Sequence, residues 1–483
     1  MATIGSLTVG LTLASAPSVS AEPASAAASG AHFVVLVPKG APLDDAESAV
    51  VANDGVVVRK LPQIGVVLAR SQRADFAAKV RREGGVAAAG ATRNLAELTA
   101  TTSKPTSMPV PVHGQVTSQR GALGPEPLAA NQWDMKLIGA DQANEEYQGS
   151  PDVLIGLLDS GIDATHPDLA PNLDKSASVS CANDGLPDTA EASWQDNFGH
   201  GTHVAGIVAA AKNGIGTAGV APDVHIAAIK VGDAEGYIYP ESAMCGYLWA
   251  ADHGVDIANS SFSIDPWYFW CGSDPDQAAT TEAIRRSVSY AAVRGVTTVA
   301  SLGNYNWDLA HDVVDPLSPT NGAPVTRTAG AGCAQLPVEL NGVVGVSSVG
   351  ASKSRYYNSN YGTGVVDFAA PGGDRKFQIP ATPDANGQIL STLPGGTYGY
   401  MQGTSMAAPH VTGVLALLKS RNPMLSGNLL IAAAAAGAEV LPCPASGVHD
   451  PDGQGTYRAV CEGGATGAGF YGHGLINALN AVH

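Results

Sequence analysis

Apolar residues form short unbroken runs along most of this 483-residue chain, and stretches with a helical period separate them. Runs without polar alternation are typical of strands buried on both faces of a parallel sheet. They occur at residues 153–158, 226–231, 255–258, 296–300 and 343–349. Helices are predicted at residues 203–211, 244–253 and 281–294. The alternation predicts an α/β domain at residues 129–483, with a mostly parallel sheet, helices on both faces, and functional groups at the carboxyl ends of the strands.

Residues 32–98 follow a different pattern, in which the strands and helices are shorter. Strands are predicted at 32–37, 56–59, 64–69 and 86–93, and helices at 44–53 and 73–82. This β-α-β-β-α-β order is that of a small α+β ferredoxin-like fold. Residues 99–128 are rich in Thr, Ser, Pro and Gly and lack periodicity, which predicts a linker between the two domains.

The first 21 residues have the character of a secretory signal peptide. Residues 4–14 are largely apolar, and Val19-Ser20-Ala21 forms a small-residue cleavage pattern. The first basic residue is Lys39, so the basic start of such a signal is missing, and a disordered Ala-rich tail is the alternative. The later apolar stretch at 431–436 is too short to cross a bilayer and predicts a buried helix, so we expect no membrane anchor.

Charge is scarce and unevenly spread. Charged residues make up 14% of the chain, and the net charge is −17. Residues 1–125 carry 11 Lys and Arg against 8 Asp and Glu, whereas the remainder carries 15 against 35. The acidic remainder of the chain is expected to bind nucleic acid poorly, and it could attract the basic residues 1–125. Solubility is the simpler explanation of the acidity.

The six cysteines, an even number, fit an oxidising compartment. None has the Cys-x-x-Cys spacing of a zinc or redox site. Six cysteines allow fifteen pairings. We expect a disulfide between Cys443 and Cys461, which closes a local loop. For the other four cysteines our hypothesis is the pairing Cys181–Cys245 and Cys271–Cys333.

Three glycine-rich segments carry candidate catalytic residues. Asp159 follows the apolar run 153–158 at a Ser-Gly turn. His200 lies between two glycines in Asn197-Phe-Gly-His200-Gly-Thr-His203, at the start of a predicted helix. Ser405 opens another predicted helix in Gly403-Thr-Ser405-Met-Ala-Ala-Pro409.

These segments resemble the motifs of the subtilisin-like serine proteases, in the same Asp, His, Ser order. Further matching motifs are Asn259-Ser-Ser-Phe-Ser263, Gly303-Asn304, Tyr361 to Gly372 and Tyr471 to Ala478. The resemblance covers about residue 129 to the C-terminus. It implies a secreted serine endopeptidase that hydrolyses peptide bonds through an acyl-enzyme on Ser405. A non-catalytic scaffold of the same fold and an intracellular protease of the same type are the alternatives.

The chemistry of acyl transfer requires these residue types. A serine hydroxyl is a weak nucleophile until a base removes its proton, and an imidazole such as His200 does so near neutral pH. Asp159 would fix the imidazole tautomer and stabilise its cation. A Ser405 at a helix start places its backbone N–H near the developing oxyanion. His203 lacks the glutamate and spacing of a metalloprotease motif, so we interpret it as structural.

The resemblance also implies an oxyanion amide and the walls of a substrate cleft. Asn304 matches the oxyanion-hole asparagine, whose loss costs subtilisin about 10²–10³ in kcat. Substrate contacts are implied for Ser260, Ser261, Phe262, Ser263, Leu302 and Gly303. Leu302 replaces a small residue and is expected to narrow the cleft. Ser263 stands where the family usually has glycine, so its side chain either crowds the substrate or points away.

A calcium site is a further implication of the resemblance. Residues 211–217 match, without a gap, a family loop that wraps Ca²⁺, and Asp168 matches another ligand. A carboxylate from Asp168, an amide from Asn213 and several carbonyls would suit Ca²⁺. Lys212 lies inside the loop, and the family ligand from the N-terminal arm has no match, so a glycine turn without metal is the alternative. No cofactor is required for the chemistry.

The front domain at 32–98 resembles the family's inhibitory prodomain. The expected partners are therefore polypeptide substrates and the chain's own prodomain, which would act as intramolecular inhibitor and folding aid. An unrelated accessory domain is the alternative. We expect a monomer that binds no nucleic acid.

Overall fold

A computed structural model describes residues 30–93, 112–116 and 126–483. The predicted signal peptide at 1–21 lies outside these residues, as does most of the predicted linker at 99–128.

Residues 31–91 form a four-stranded antiparallel sheet with two helices. Its elements are β1 (Ala31–Leu36), α1 (Asp44–Ala52), β2 (Gly55–Leu61), β3 (Val66–Ser71), α2 (Phe76–Val80) and β4 (Ala88–Ala91). The strand order β2-β3-β1-β4 is that of a ferredoxin-like fold, as predicted. Phe33, Val35, Val50 and Phe76 pack between the sheet and the helices. We call this unit the front module.

The large domain is built on a seven-stranded sheet in the order β16-β15-β11-β9-β6-β8-β7, in which every neighbouring pair is parallel. Its strands are β6 (Leu154–Asp159), β7 (Val179–Ser180), β8 (His225–Lys230), β9 (Ile257–Ser260), β11 (Thr297–Ser301), β15 (Val343–Val349) and β16 (Phe368–Pro371). Smaller strands are β5 (Val112–Val116), β10 (Trp270–Cys271), β12 (Val313–Asp315), β13 (Arg327–Ala329), β14 (Cys333–Ala334), β17 (Ile389–Leu393), β18 (Thr397–Met401), β19 (Val448–His449) and β20 (Ala459–Val460). The predicted parallel sheet is confirmed, and β7 and β16 are strands that the apolar runs did not indicate.

Helices cover both faces of this sheet. They are α3 (Trp133–Leu137), α4 (Ala140–Glu146), α5 (Glu191–Trp194), α6 (His200–Ala209), α7 (Pro240–Asp252), α8 (Pro275–Val293), α9 (Thr404–Arg421), α10 (Gly427–Gly437), α11 (Ala468–Tyr471) and α12 (Ala478–Val482). Short 3₁₀ turns lie at Ala129–Asn131 and Gly464–Thr466. The α6 and α9 helices pack on one face, with Val204 and Leu415 in one core cluster. The α7 and α8 helices pack on the other, with Met244 and Ile284 in a second cluster.

The α10 helix corrects one expectation. The apolar stretch 431–436 is helical, but it is not a buried helix, because only Leu430 and Ala434 of α10 are buried. These two residues are one turn apart and form a narrow contact stripe, and the remaining alanines expose little apolar area. Among the described residues, no helix has the length and apolar character needed to cross a membrane.

Of the three disulfides of the large domain, two join segments more than 60 residues apart and one closes a local loop. They are Cys181–Cys245, Cys271–Cys333 and Cys443–Cys461, the pairs written from the sequence. The first ties the end of β7 to α7, and the second ties β10 to β14. The loops around the sheet are therefore covalently fixed.

Candidate active site

The carboxyl edge of the sheet brings together the residues predicted to be catalytic. Asp159 is the last residue of β6, and α6 begins at His200. Asn304 follows the end of β11, and Ser405 is the second residue of α9. Asp159, His200, Asn304 and Ser405 all line one cleft. The predicted juxtaposition is therefore present.

Asp159 and His200 form a hydrogen-bonded pair. Nδ1 of His200 lies 2.8 Å from Oδ1 and 3.0 Å from Oδ2 of Asp159, whose residue is only 3% exposed. The N–H of Ser160 donates to the same Oδ1 at 2.7 Å. Because an ionised carboxylate only accepts hydrogen bonds, Nδ1 carries the ring proton, and Nε2 keeps its lone pair for a proton from the cleft.

The surroundings of His200 favour its protonated form. Burial disfavours the imidazolium, but the charge and hydrogen bond of Asp159, with the charge of Asp196, hold the pKa of His200 above its ordinary value. An imidazole with a raised pKa accepts a proton readily. It is mostly neutral only when the pH is above that pKa, which itself lies above the ordinary value for His.

Asp196 is a residue of this site that the sequence analysis missed. Its carboxylate accepts hydrogen bonds from the N–H groups of Gly199 at 2.8 Å and Thr202 at 2.9 Å, at the start of α6. It also accepts from the hydroxyl of Ser160 at 3.0 Å. An Asp a few residues before an apolar helix is the usual signal of a helix cap and could have indicated it. Asp196 therefore fixes the helix start that carries His200.

Gly201 allows the close approach of the two catalytic elements. A Cβ at this position would lie 2.1 Å from the carbonyl oxygen of Gly161, beyond the end of β6. The glycine after His200 is therefore required for α6 to pack against the turn that follows Asp159.

Ser405 is held in a reciprocal pair of hydrogen bonds with Ser261. Its Oγ donates to the carbonyl oxygen of Ser261 at 3.1 Å, and Oγ of Ser261 donates to the carbonyl oxygen of Ser405 at 2.9 Å. The Ser405 hydroxyl thus rests on the backbone of Ser261, in the cleft that His200 also lines.

The Asn304 side chain is oriented by the start of α9. Its Oδ1 accepts from the N–H of Thr404 at 2.8 Å and from Oγ1 of Thr404 at 3.2 Å. The N–H of Gly303 donates to the same Oγ1 at 2.9 Å. With its oxygen engaged in this way, the amide keeps its Nδ2 donors for other acceptors, and Asn304 lines the cleft together with Ser405.

The cleft wall includes some of the expected substrate residues and excludes others. Ser261, Phe262, Ser263 and Gly303 line it, together with Gly236, Tyr237, Ile238, Trp267, Tyr268 and Tyr305. The expectation that Leu302 narrows the cleft is wrong, because its side chain is fully buried in the core. Ser260 is likewise buried, with its hydroxyl 2.9 Å from that of Tyr247. The Ser263 hydroxyl accepts from Nε2 of Gln335 at 2.9 Å.

His203 has surroundings that suit a structural residue. Its Nε2 lies 3.1 Å from the carbonyl oxygens of Ile389 and Gly399, which join α6 to the hairpin of β17 and β18. Burial, helped by the nearby charge of His200, lowers the pKa of His203 to about 3. It is therefore neutral at working pH and ties the helix to the hairpin.

The loop at 211–217 provides a donor set that suits Ca²⁺. Oδ2 of Asp168 accepts from the N–H of Thr217 at 3.1 Å and the hydroxyl of Tyr398 at 2.9 Å, but its buried Oδ1 has no protein partner. Burial raises the pKa of Asp168 to about 7. Lys212 points away, with Nζ 2.6 Å from Oε1 of Glu145. The side chain of Lys212 therefore does not block the loop.

Asn213 and Glu126 complete the polar surroundings of that loop. The Asn213 amide donates to the carbonyl oxygen of Pro167 at 3.2 Å and accepts from the N–H of Ile215 at 2.9 Å. Oε1 of Glu126 accepts from the N–H of Gly214 at 2.8 Å. A second carboxylate, which the sequence analysis could not assign, thus lies at the loop from the segment preceding the large domain.

The front module packs against α7 and α8. Arg81 pairs with Asp276 of α8 at 2.6 Å, and Arg93 pairs with the buried Glu241 of α7 at 2.5 Å. Nε2 of His32 lies 2.7 Å from Oδ1 of Asp184, a residue of the large domain. Residues on both sides share one apolar cluster. The interface thus combines apolar packing with basic groups of the module and acidic groups of the body.

Comparison with known proteins agrees with this geometry. A family model described as "Subtilase family" matches residues 150–445. M-protease of Shouchella clausii (strain KSM-K16) is 34% identical over 294 residues, which cover 61% of this chain and 61% of that protein, so less than two thirds of it is matched. Subtilisin Savinase of Lederbergia lenta is 34% identical over 294 residues, which cover 61% of this chain and 86% of that protein.

Solved structures extend the similarity of the fold to the front module. The epidermin leader peptide processing serine protease of Staphylococcus aureus has a TM-score of 0.65 at 19% identity, covering 94% of this chain and 98% of that one. Fervidolysin of Fervidobacterium pennivorans has a TM-score of 0.61 at 24% identity, covering 94% of this chain and 61% of that one. Motifs, sheet order and family match agree, and the chain belongs to the subtilase family.

Proposed function

We propose that this protein is a secreted serine endopeptidase that cleaves peptide bonds through an acyl-enzyme on Ser405. The observation that carries the proposal is the Asp159–His200 hydrogen bond in the cleft that Ser405 and Asn304 also line. The three disulfides support an extracellular location.

The reaction follows from the proton positions in the cleft. Oγ of Ser405 gives its proton to Nε2 of His200 and attacks the carbonyl carbon of the peptide. The oxygen that becomes negative accepts hydrogen bonds from Nδ2 of Asn304 and the N–H of Ser405. His200 then protonates the leaving amine as the C–N bond breaks. A water molecule, deprotonated by His200, hydrolyses the acyl-enzyme and restores the Ser405 hydroxyl.

The substrate we propose is an extended polypeptide. Residues 236–238 and 261–263, two segments from different parts of the chain, both line the cleft. An extended chain between two such segments gains main-chain hydrogen bonds that do not depend on its sequence. The acidic large domain argues against nucleic acid as a partner.

We further propose that the front module is an intramolecular inhibitor and folding aid, in a monomeric protein, and that the loop at 211–217 holds a structural calcium ion. The ion pairs of Arg81 and Arg93 with the large domain support the first. The unpartnered buried Oδ1 of Asp168 supports the second. Calcium would hold the loop, and every chemical step would stay with the residues of the cleft.

Labelling with a fluorophosphonate, followed by peptide mapping, tests the catalytic proposal. We expect covalent labelling of Ser405 and hydrolysis of fluorescein-labelled casein. The Ser405→Ala variant should lose both the labelling and the hydrolysis. The Ser446→Ala variant changes an exposed serine outside the cleft and should keep both. Processed wild-type protein, freed of the front module, that takes no label, or labelling that persists in Ser405→Ala, would show instead a non-catalytic scaffold.

A further inference from the structure

Asn360 is a fully buried amide that the proposed reaction does not use. Its Nδ2 donates to the carbonyl oxygen of Leu302 at 2.8 Å. Its Oδ1 accepts from the backbone N–H groups of Tyr305 and Trp307, each at 3.0 Å. These three backbone groups flank Asn304 on both sides along the chain. One side chain therefore engages the loop that carries the oxyanion amide before and after that residue.

The backbone near Asn360 reinforces the same contact. The N–H of Asn360 donates to the carbonyl oxygen of Gly303 at 2.9 Å, and that of Asn306 donates to the carbonyl oxygen of Asn358 at 2.8 Å. Nη2 of the buried Arg355 donates to Oδ1 of Asn306 at 2.6 Å. The N–H of Leu302 still donates to the carbonyl oxygen of Val346 in β15 at 3.1 Å, and beyond it the loop at 303–307 exchanges backbone hydrogen bonds with the segment 358–361.

The packing of this contact leaves little room for movement. Gly303 has a positive φ of 99°, and a Cβ at this position would lie 2.7 Å from Nδ2 of Asn360. The loop thus passes the Asn360 amide at a distance that only glycine permits. The side chain of Gln335 is also buried. Its Oε1 lies 3.4 Å from Nδ2 of Asn360, and its Nε2 donates to the Ser263 hydroxyl. The amide network therefore reaches Ser263, another residue of the cleft wall.

We propose that Asn360 is the positioning residue that sets the Asn304 amide for the oxyanion, an inference that rests on the proposed endopeptidase function. An oxyanion donor works because it is oriented before charge develops. Thr404 fixes the oxygen of the Asn304 side chain, and Asn360 fixes the backbone from which that side chain extends. Asn360 touches no reacting atom in this scheme. Its effect passes through Asn304.

A double-mutant cycle in the full chain tests this role. Asn304→Ala, Asn360→Ala and the double variant are compared with wild type on a peptide nitroanilide, with kcat normalised to the Ser405 that a fluorophosphonate titrates at completion. Because the oxyanion forms in the transition state, Asn360→Ala should lower kcat about 10- to 100-fold and change KM less than about 3-fold. In the Asn304→Ala background the same change should lower kcat less than about 3-fold.

Matched variants separate positioning from general stability. Asn144 is also buried and donates to a backbone carbonyl, that of Gly219 at 2.9 Å, but it lies outside the cleft. Asn144→Ala should therefore leave kcat unchanged. If Asn360→Ala does not fold, Asn360→Asp takes its place in the cycle, because it has nearly the same shape, keeps the oxygen that accepts from Tyr305 and Trp307, and lacks the donor to Leu302. In the Asn304→Ala background, Asn360→Asp should likewise cause little further loss of kcat.

Two results would overturn the inference. The first is a kcat within about 3-fold of wild type for the Asn360 variants, and the second is a loss that multiplies with that of Asn304→Ala. Both presuppose an active wild type and leave the endopeptidase proposal standing. A folded and processed wild type, freed of the front module, that neither hydrolyses the peptide nor takes the label would overturn the proposed function, and this inference with it.

Discussion

At the scale of single residues, the proposed chemistry depends on where one proton lies. Asp159 is buried and accepts from Nδ1 of His200, so it selects the tautomer that leaves Nε2 free for Ser405. The same carboxylate stabilises the imidazolium that forms in the reaction. Orientation and charge stabilisation thus come from one side chain, and both are measurable in the pH dependence.

We predict that kcat/KM falls as the pH is lowered through a pKa above the ordinary His value of about 6.5. The pKa of His200 is raised, so the ring becomes protonated at a higher pH than a free imidazole and then cannot act as base. Asp159→Asn should lower kcat about 10⁴-fold and shift this midpoint to lower pH. A kcat/KM profile from pH 5 to 10 measures both. A flat profile from pH 5 to 8, or an unchanged midpoint in Asp159→Asn, would contradict the prediction.

The residues that the sequence indicates are those with a fixed chemical identity in a recognisable motif. Asp159, His200, Ser405 and Asn304 belong to this group, and the structure brings them into one cleft. The role of Asn360 could not be predicted, because the sequence does not show which backbone groups a buried asparagine will contact. The prediction that Leu302 narrows the cleft was wrong because the path of the loop after β11 decides whether this side chain faces the cleft or the core.

At the scale of elements, long apolar runs predicted their strands well, since a strand buried on both faces has no polar position. The β16 strand, Phe-Ala-Ala-Pro, has neither β-branched residues nor alternation, and its pairing with β15 decides its structure. The α8 helix begins at Pro275, six residues before the predicted start at 281. Its start is set by the Asp274 carboxylate, which accepts from the N–H groups of Asp276 and Gln277.

The loop at 211–217 gives a prediction at this scale. If Asp168 and Asn213 bind Ca²⁺, an ion held at about 1,000 times its Kd adds about 4 kcal/mol to the free energy of unfolding. Chelation should then lower Tm by roughly 5 °C, because a domain of this size unfolds with an entropy of about 0.7 kcal/mol/K. Differential scanning calorimetry with EDTA or with Ca²⁺ measures this difference. Asp168→Asn should abolish it, whereas the exposed Asp152→Asn should preserve it. Equal Tm values in EDTA and Ca²⁺ would favour a glycine turn without metal.

At the scale of the whole molecule, the front module and the large domain meet through opposite charges. The charge and hydrogen bonds of His32 and Arg70 outweigh burial and hold the pKa of Asp184 below its usual range, and Arg93 does the same for Glu241. Carboxyl groups with lowered pKa values stabilise the folded interface above their unfolded values of about 4. That stability is lost as the pH falls through the lowered values, so the interface is fully paired at neutral pH.

We predict that Arg93→Ala loosens the module at neutral pH. It leaves the buried Glu241 without its main cation, a change that costs about 3–5 kcal/mol. In a Ser405→Ala background, which prevents self-cleavage, hydrogen exchange should increase in β4 and α8. Lys60→Ala removes an exposed ion pair with Glu47 inside the module and should have no such effect. Exchange in β4 and α8 that stays at the level of the parent protein would show that apolar packing alone holds the interface.

The place where the chain leaves the front module has a kinetic consequence. The guanidinium of Arg93 lies 3.7 Å from the ring centre of Tyr239, which is next to Ile238 in the cleft wall. The last residue that the structure describes before the linker therefore contacts a residue next to the cleft wall. Under the proposed function, a cut that the chain makes in itself needs no encounter between two molecules, so maturation would be first order and its half-life would be the same in a dilute secretion as in a concentrated one.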